Sequence, residues 1–301
     1  MTPVTDTPRQ QSKPTKQTKG TETATAGSAG SRFLVGYVPL ILATLLIGLP
    51  LLWLILSSFK EQGEILTNKI VWFPSTFYFG NYERAFQIVP FGRVFLNSVI
   101  VTVIGAGLKV ILAVISAYAL VFVRFPFRNT IFMLILVALM VPAEIAIVPN
   151  YILVAGIGGV NTYWGIILPT LGTAFGTFLL RQQFLMVPTA ISEAAEIDGA
   201  SHWVRMTRVI VPMRRSAVIT LVLIYLVVEW NQYLWPLVII NDPKMMTLPV
   251  GLTLLQNTEP GSTAWGVLMA GAVLVILPIL IVFIALQKHI VTGLTQGAVK
   301  G

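Results

Sequence analysis

Six long apolar runs, at about 33–57, 94–123, 129–148, 162–180, 218–238 and 265–286, set the terms for this chain. The first is uncharged, and 33–57 suffices to cross a hydrocarbon core of about 30 Å. Of the 301 residues, 55% are hydrophobic and only 11% charged, against about 25% charged in soluble domains. The spacing predicts an all-α polytopic membrane protein with six transmembrane helices.

What lies between the runs is polar and mostly short. Residues 1–31 are rich in Thr, Ser, Gly, Lys, Gln and Pro and cannot bury enough surface to fold, so a disordered tail is expected. No apolar core with a cleavage site follows its charges, which argues against a signal peptide. Pro39 and Pro50 are candidate kinks in the first span. A polar stretch with Asn81, Tyr82 and Arg84 precedes the second span, and Arg124-Phe125-Pro126-Phe127-Arg128 is a basic turn after it. Residues 149–161, with Gly156, Gly158 and Gly159, read as a connection. The longest inner interruption is the loop 182–215.

An even number of spans puts both termini on one side, and the basic residues choose which. Loops on the terminal side hold fourteen of the twenty Lys and Arg: five in the first tail, two in the Arg124–Arg128 turn, five at 181–215 and two after the last span. Lys60, Lys69, Arg84, Arg93 and Lys244 fall on the other side, and Lys109 lies within a span. The excess orients both tails and the long loop to the cytoplasm of a plasma-membrane protein. Bases dispersed around spans also argue against a nucleic-acid partner. With no cysteine and two histidines, neither disulfides nor a metal cluster is expected.

Polar groups within the spans are functional suspects, because a charge at mid-bilayer costs about 2.5–3.5 kcal/mol on insertion scales. Lys109 is either a cation facing a water-filled path, able to attract an anionic solute, or a structural residue paired with a carboxylate such as Glu229 or Glu144 or reaching a partner subunit. Glu229, Asn231, Gln232 and Tyr233 interrupt the fifth span beside Trp230 and Trp235. They suit a lining for a hydroxylated solute, and equally an interfacial belt. Gly172 and Gly176 permit close helix packing, within this chain or against a second one.

Residues 192–212 form a charged island, SEAAEIDGASHWVRMTRVIVP, between the fourth and fifth spans. Two short helices with a bend are expected. Pro188 and Thr189 open the first, proline suiting a first turn and Thr189 serving as the cap, with Glu193 and Glu196 near its positive end. Gly199 weakens the helix by roughly 1 kcal/mol relative to Ala and marks the bend. Ser201 caps the second helix, and Pro212 limits its length. Asp198, Ser201 and His202 are too close in sequence to form a catalytic triad, and no catalytic residue is expected.

The spacing Glu193-Ala194-Ala195, Gly199, Val209, Val211-Pro212 resembles the EAA loop of bacterial ABC importer permeases, with Val209 and Val211 standing where that family usually has Ile and Leu. The resemblance extends over 33–301. The ending Gly293-Leu294-Thr295-Gln296-Gly297 is similar to that of maltose-type permeases. The stretches 124–129, 140–144 and 229–236 are similar to the second permease of sn-glycerol-3-phosphate/glycerophosphodiester importers.

The resemblance implies a type I importer permease fold with a cytoplasmic coupling helix. Glu193, Ala194, Ala195, Asp198, Gly199, Ala200 and Pro212 would carry the coupling. It implies three partners: a second permease, an ATP-binding subunit dimer and an extracytoplasmic solute-binding protein. The sequence has no G-x-x-x-x-G-K-[ST] stretch, so ATP and magnesium would belong to the partner ATPase, with no cofactor on this chain. The implied solute is glycerol 3-phosphate or a glycerophosphodiester such as glycerophosphocholine. A neutral di- or oligosaccharide is the alternative, and a transporter working alone on an ion gradient is a third reading.

Overall fold

The computed structural model describes residues 36–295 apart from 68, 70 and 257–263, with side chains as far as Ala285. The expected disordered tail at 1–31 lies outside the described residues. The chain divides into two units, one ending at Pro50 and the other beginning at Leu51. Every regular element among the described residues is helical, as hydrocarbon surroundings demand when no water is at hand to satisfy backbone N–H and C=O groups.

Among the described residues three helices are long and apolar enough to cross a bilayer unbroken: α1 (Val38–Ser57), α3 (Phe91–Phe122) and α12 (Trp265–Thr295). Helix α2 (Gly80–Ile88) precedes α3. Helix α1 continues through Pro50. Helix α12 extends past 286, where the sequence reading ended the sixth span.

The remaining spans are bent. Helix α4 (Arg128–Leu139) is followed, after a 3-10 turn at Ala143–Ala146, by α5 (Ile147–Gly156). The two halves meet at 89°. Pro142, at ψ 130, has left the helical region and has no N–H to carry the ladder on. The expected continuous span at 129–148 is therefore two helices. The expected connection at 149–161 is helical as far as Gly156, because Pro149 falls in a first turn, where its missing N–H is tolerated.

Helix α6 (Tyr163–Ile167), capped by the Thr162 hydroxyl, runs through a 3-10 turn to Thr170. It meets α7 (Ala174–Leu185) at 51°. After α8 (Thr189–Ile197) and α9 (His202–Met213), an 86° turn at Arg214 starts α10 (Arg215–Trp230). Asn231–Tyr233 breaks the chain again before α11 (Leu234–Ile239). The six expected crossings thus become three straight helices and a set of bent ones.

The second unit is built around α3. Ala106, Ala113 and Ala117 are buried on it, and small residues let helix backbones approach closely without a hydrophobic drive between them. Toward the island, these alanines pack with Leu180 and Phe184 of α7, Met206 and Ile210 of α9, and Leu221 and Tyr225 of α10. At the other end Val89, Val94, Trp230, Leu248 and Val267 form a second cluster.

Polar clamps hold the loop after α11. Asn97 Nδ2 donates to the carbonyls of Lys244 and Met246, at 2.9 Å each, and its Oδ1 accepts from the Tyr163 hydroxyl at 2.7 Å. Asn161, at φ 57, accepts from the backbone N–H of Asn241 and Asp242. Asn tolerates that left-handed conformation better than most residues.

Candidate functional site

Three of the chain's breaks converge. The turns after α4, before α7 and after α10 line an open cavity of about 350 Å³. Its wall includes Glu144, Asn150, Thr170, Gln232 and Trp235, and the unbroken α3 contributes Lys109. Irregular backbone at membrane depth is tolerated only where protein or a wet cavity satisfies it, and broken helices around a polar cavity mark binding sites in many transporters. Helices α7 and α10 run from this cavity to the island. Their 12 and 16 residues correspond to a separation of roughly 18–24 Å at 1.5 Å per residue.

Lys109 is buried, at 5% exposure, and its Nζ donates to Glu229 Oε1 on α10, itself 3% exposed. The Tyr225 ring lies 5.9 Å from the ammonium. Gly105, one turn from Lys109, makes room for the carboxylate: a Cβ there would stand 3.1 Å from Glu229 Oε2. Of the carboxylates that the sequence left open for Lys109, Glu229 is the one bonded.

The other polar residues of the fifth span separate. Gln232 lines the cavity. Asn231 turns its Nδ2 back to the Val227 carbonyl at 2.8 Å, and neither it nor the exposed Tyr233 is in the lining. Trp235 donates to the Ile166 carbonyl at 3.0 Å and so fixes α11 to α6.

Tyr225 fixes the mouth of α7. Its hydroxyl accepts from Gly176 N–H at 2.9 Å and donates to Thr173 Oγ1 at 3.2 Å, satisfying a donor that a helix start leaves open. A Cβ at Gly176 would stand 2.4 Å from that hydroxyl and 2.9 Å from Ala113 Cβ. The glycine therefore serves packing within this chain.

At the opposite end of α7 and α10 lies the island. Helix α8 carries Glu193, Ala194 and Ala195, with Glu193 and Ala194 exposed. Gly199, at φ +77, is a left-handed residue that closes the helix. Its N–H bonds the Glu196 carbonyl and the Ala200 N–H bonds the Ala195 carbonyl, both at 3.0 Å, the paired bonds of a Schellman end. The bend is a helix end with a defined geometry rather than a weakened helix.

Several local expectations need correction. Thr189 is the first helical residue and not the cap, which is Pro188 with no side-chain bond. Glu193 lies beyond the first turn of α8 and Glu196 in its last turn, so neither sits at the positive end of the dipole. Arg205, whose Nη1 is 2.6 Å from Glu196 Oε2, supplies the counter-charge instead. Pro212 does not end the second helix, which passes it after a π turn at Arg205–Ile210 and stops at Arg214 with φ −112. Ser201 does cap α9, accepting from Val204 N–H at 3.4 Å. Ile197 and Trp203 stand 86% and 64% exposed beside the Gly199 turn, and exposed apolar groups of this size mark contact surfaces.

Two features escaped the sequence reading: the cavity itself and the Glu196–Arg205 bridge. Proline or glycine inside apolar runs (Pro142, Pro169, Gly172) was the available signal for the first. Opposite charges nine positions apart across Gly199 were the signal for the second.

Residues 109–296 match the family described as binding-protein-dependent transport system inner membrane component. The chain is 34% identical over 270 residues to the sn-glycerol-3-phosphate transport system permease protein of Brucella abortus, covering 87% of this chain and 96% of that one. It is 34% identical over 255 residues to the arabinooligosaccharides transport system permease protein of Halalkalibacterium halodurans, covering 84% and 91%. In fold it resembles a chain from a bacterial ABC transporter involved in the import of the acidic polysaccharide alginate, with a TM-score of 0.76 at 23% identity over 87% of this chain and 98% of that one.

Proposed function

This chain belongs to the family of binding-protein-dependent transport system inner membrane components, as a permease subunit of an ABC importer, and on that premise we propose that it forms one half of the path for a glycerol 3-phosphate or glycerophosphodiester solute and couples that path to a separate ATPase. The observation that carries the reading is the convergence of three helix breaks on a polar cavity with an ammonium group in its wall. Amides and an indole suit glycerol hydroxyls and carbon faces, and Lys109 gives a phosphate a cation to approach.

The island supplies the link. Its exposed helix ends on the side that carries fourteen of the twenty basic residues, which the charge bias assigns to the cytoplasm. An ATPase dimer closing there would draw α8 with it, and α10 starts directly after the island and ends at the cavity. A second permease would complete the path, and an extracytoplasmic binding protein would deliver solute to it. ATP and magnesium would sit on the ATPase.

A neutral oligosaccharide is the second reading. It is favoured by Lys109 already having its charge met by Glu229, and by the arabinooligosaccharide relative.

Uptake by cells carrying the whole importer separates the two. Labelled glycerol 3-phosphate or glycerophosphodiester should accumulate, with excess neutral oligosaccharide failing to compete. Accumulation of the oligosaccharide alone would replace the solute assignment. Gly199→Pro, which cannot adopt positive φ, should leave the assembly in the membrane with ATP hydrolysis uncoupled from uptake. Normal uptake by that variant would remove the coupling role.

A further inference from the structure

Arg205 is too buried for an ordinary loop cation. Its side chain is 6% exposed, it begins the π turn of α9, and its Nε has no partner among the described residues. Nη1 holds the Glu196 carboxylate on α8. Nη2 lies 3.0 Å from His202 Nδ1, and the Tyr118 hydroxyl of α3 lies 3.2 Å from the same nitrogen. A guanidinium only donates, so Nδ1 is the accepting atom. Four side chains thus join the exposed helix α8, through α9, to the unbroken α3.

Helix α3 then reaches the cavity. Lys109 lies nine residues before Tyr118, roughly 13.5 Å along the same helix, and is bonded to Glu229 on α10. The Glu196 side chain is 67% exposed, so water competes with the bridge, and such pairs add little stability. A bond that adds little stability yet occupies a buried arginine at a hinge is suited to transmitting position.

We propose that Arg205 is a positioning residue for coupling: it holds α8 in register with α3, so that movement of α8 reaches the Lys109–Glu229 pair at the cavity wall. The proposal rests on the coupling role given to the island above. It adds to the covalent route through α9 and α10 a second route through α3. A connected set of bonds becomes a coupling route only when both ends respond to it, so the test measures both ends.

The test uses the complete importer in proteoliposomes, measuring labelled glycerol 3-phosphate, or the oligosaccharide if uptake assigns that solute, moved per ATP hydrolysed together with the thermal midpoint of the assembly. Glu196→Gln and Arg205→Met should each lower the solute-to-ATP ratio about tenfold, within the usual span of coupling energies. Tyr118→Phe should lower it less, and Arg205→Lys should retain part of it by reaching Glu196 without His202. A bridge that only stabilises would shift the midpoint and leave the ratio at the wild-type value. If Arg205→Met fails to assemble, Glu196→Gln and Tyr118→Phe decide, since one alters an exposed group and the other removes a single oxygen. Wild-type ratios in those two, with Gly199→Pro uncoupled, would overturn the proposal and leave the island's coupling role intact. Wild-type ratios in all three would discard both.

Discussion

Two carboxylate–cation bridges among the described residues differ in how much water reaches them. In Lys109–Glu229 both side chains are buried, at 6% and 1% exposure; in Arg205–Glu196 the cation is at 6% and the carboxylate at 67%. The first joins two spans at the cavity wall, and the second joins two short helices at the island. Removing one partner of a buried pair strands a charge in a low-dielectric site, whereas an exposed partner is rescued by water. The same chemistry therefore makes a fixed strut in one place and a reversible contact in the other.

The largest effect should come from breaking the buried bridge on one side. Lys109→Ala leaves Glu229 without a partner and should cost about 3–5 kcal/mol, read as a lower thermal midpoint of the detergent-purified importer. Replacing both residues, Lys109→Met with Glu229→Met, should recover most of the loss, because an apolar pair of similar volume is often neutral. A double variant no better than the single one would show that the cavity wall, and not the pair, needs these residues.

Gly199→Ala comes next. Among the described residues no atom lies within 4 Å of a Cβ built there, so the left-handed conformation is what opposes the change, at about 1–2 kcal/mol. Gly199→Asn should cost less than alanine by the same measurement.

Arg205→Met should fall below both. Glu196 passes to water, the unpartnered Nε disappears, and the shift should stay within about 1 kcal/mol, even though coupling changes. A loss as large as that of Lys109→Ala would erase the distinction between the two bridges.

Lys60 sharpens the comparison with the smallest expected effect. It is buried beside the Trp53 ring, 4.0 Å from its centre, and donates to the Val71 carbonyl. Desolvation lowers its pKa from the ordinary value of 10.5, and Glu64 partly opposes the shift. The folded state then binds fewer protons than the unfolded one between the lowered value and 10.5, so stability should rise with pH across that window. Lys60→Met should flatten this part of the pH profile of the thermal midpoint.

Much of this was legible in the sequence, and the exceptions share a cause. The straight spans and the island follow from local signals: charge content, the glycine at position 199, the serine cap at 201. The bent spans do not, because hydropathy reports composition and not direction. A run such as 129–148 stays apolar through the 89° turn at Pro142. The Lys109–Glu229 contact joins residues 120 positions apart, and its choice over Glu144 depends on how α3 and α10 pack. The position of Glu196 follows from Arg205 on the next helix and not from the start of its own.

The central claim is that the exposed end of α8 faces the cytoplasm and is gripped by a separate ATPase. The chain has no cysteine, so Ile197→Cys gives a single thiol at a site 86% exposed. In cells carrying the complete importer, an impermeant maleimide applied from outside should leave it unlabelled, and a thiol cross-linker in inverted vesicles should join it to the nucleotide-hydrolysing subunit. Labelling from outside, or cross-linked products that never contain that subunit, would contradict the account.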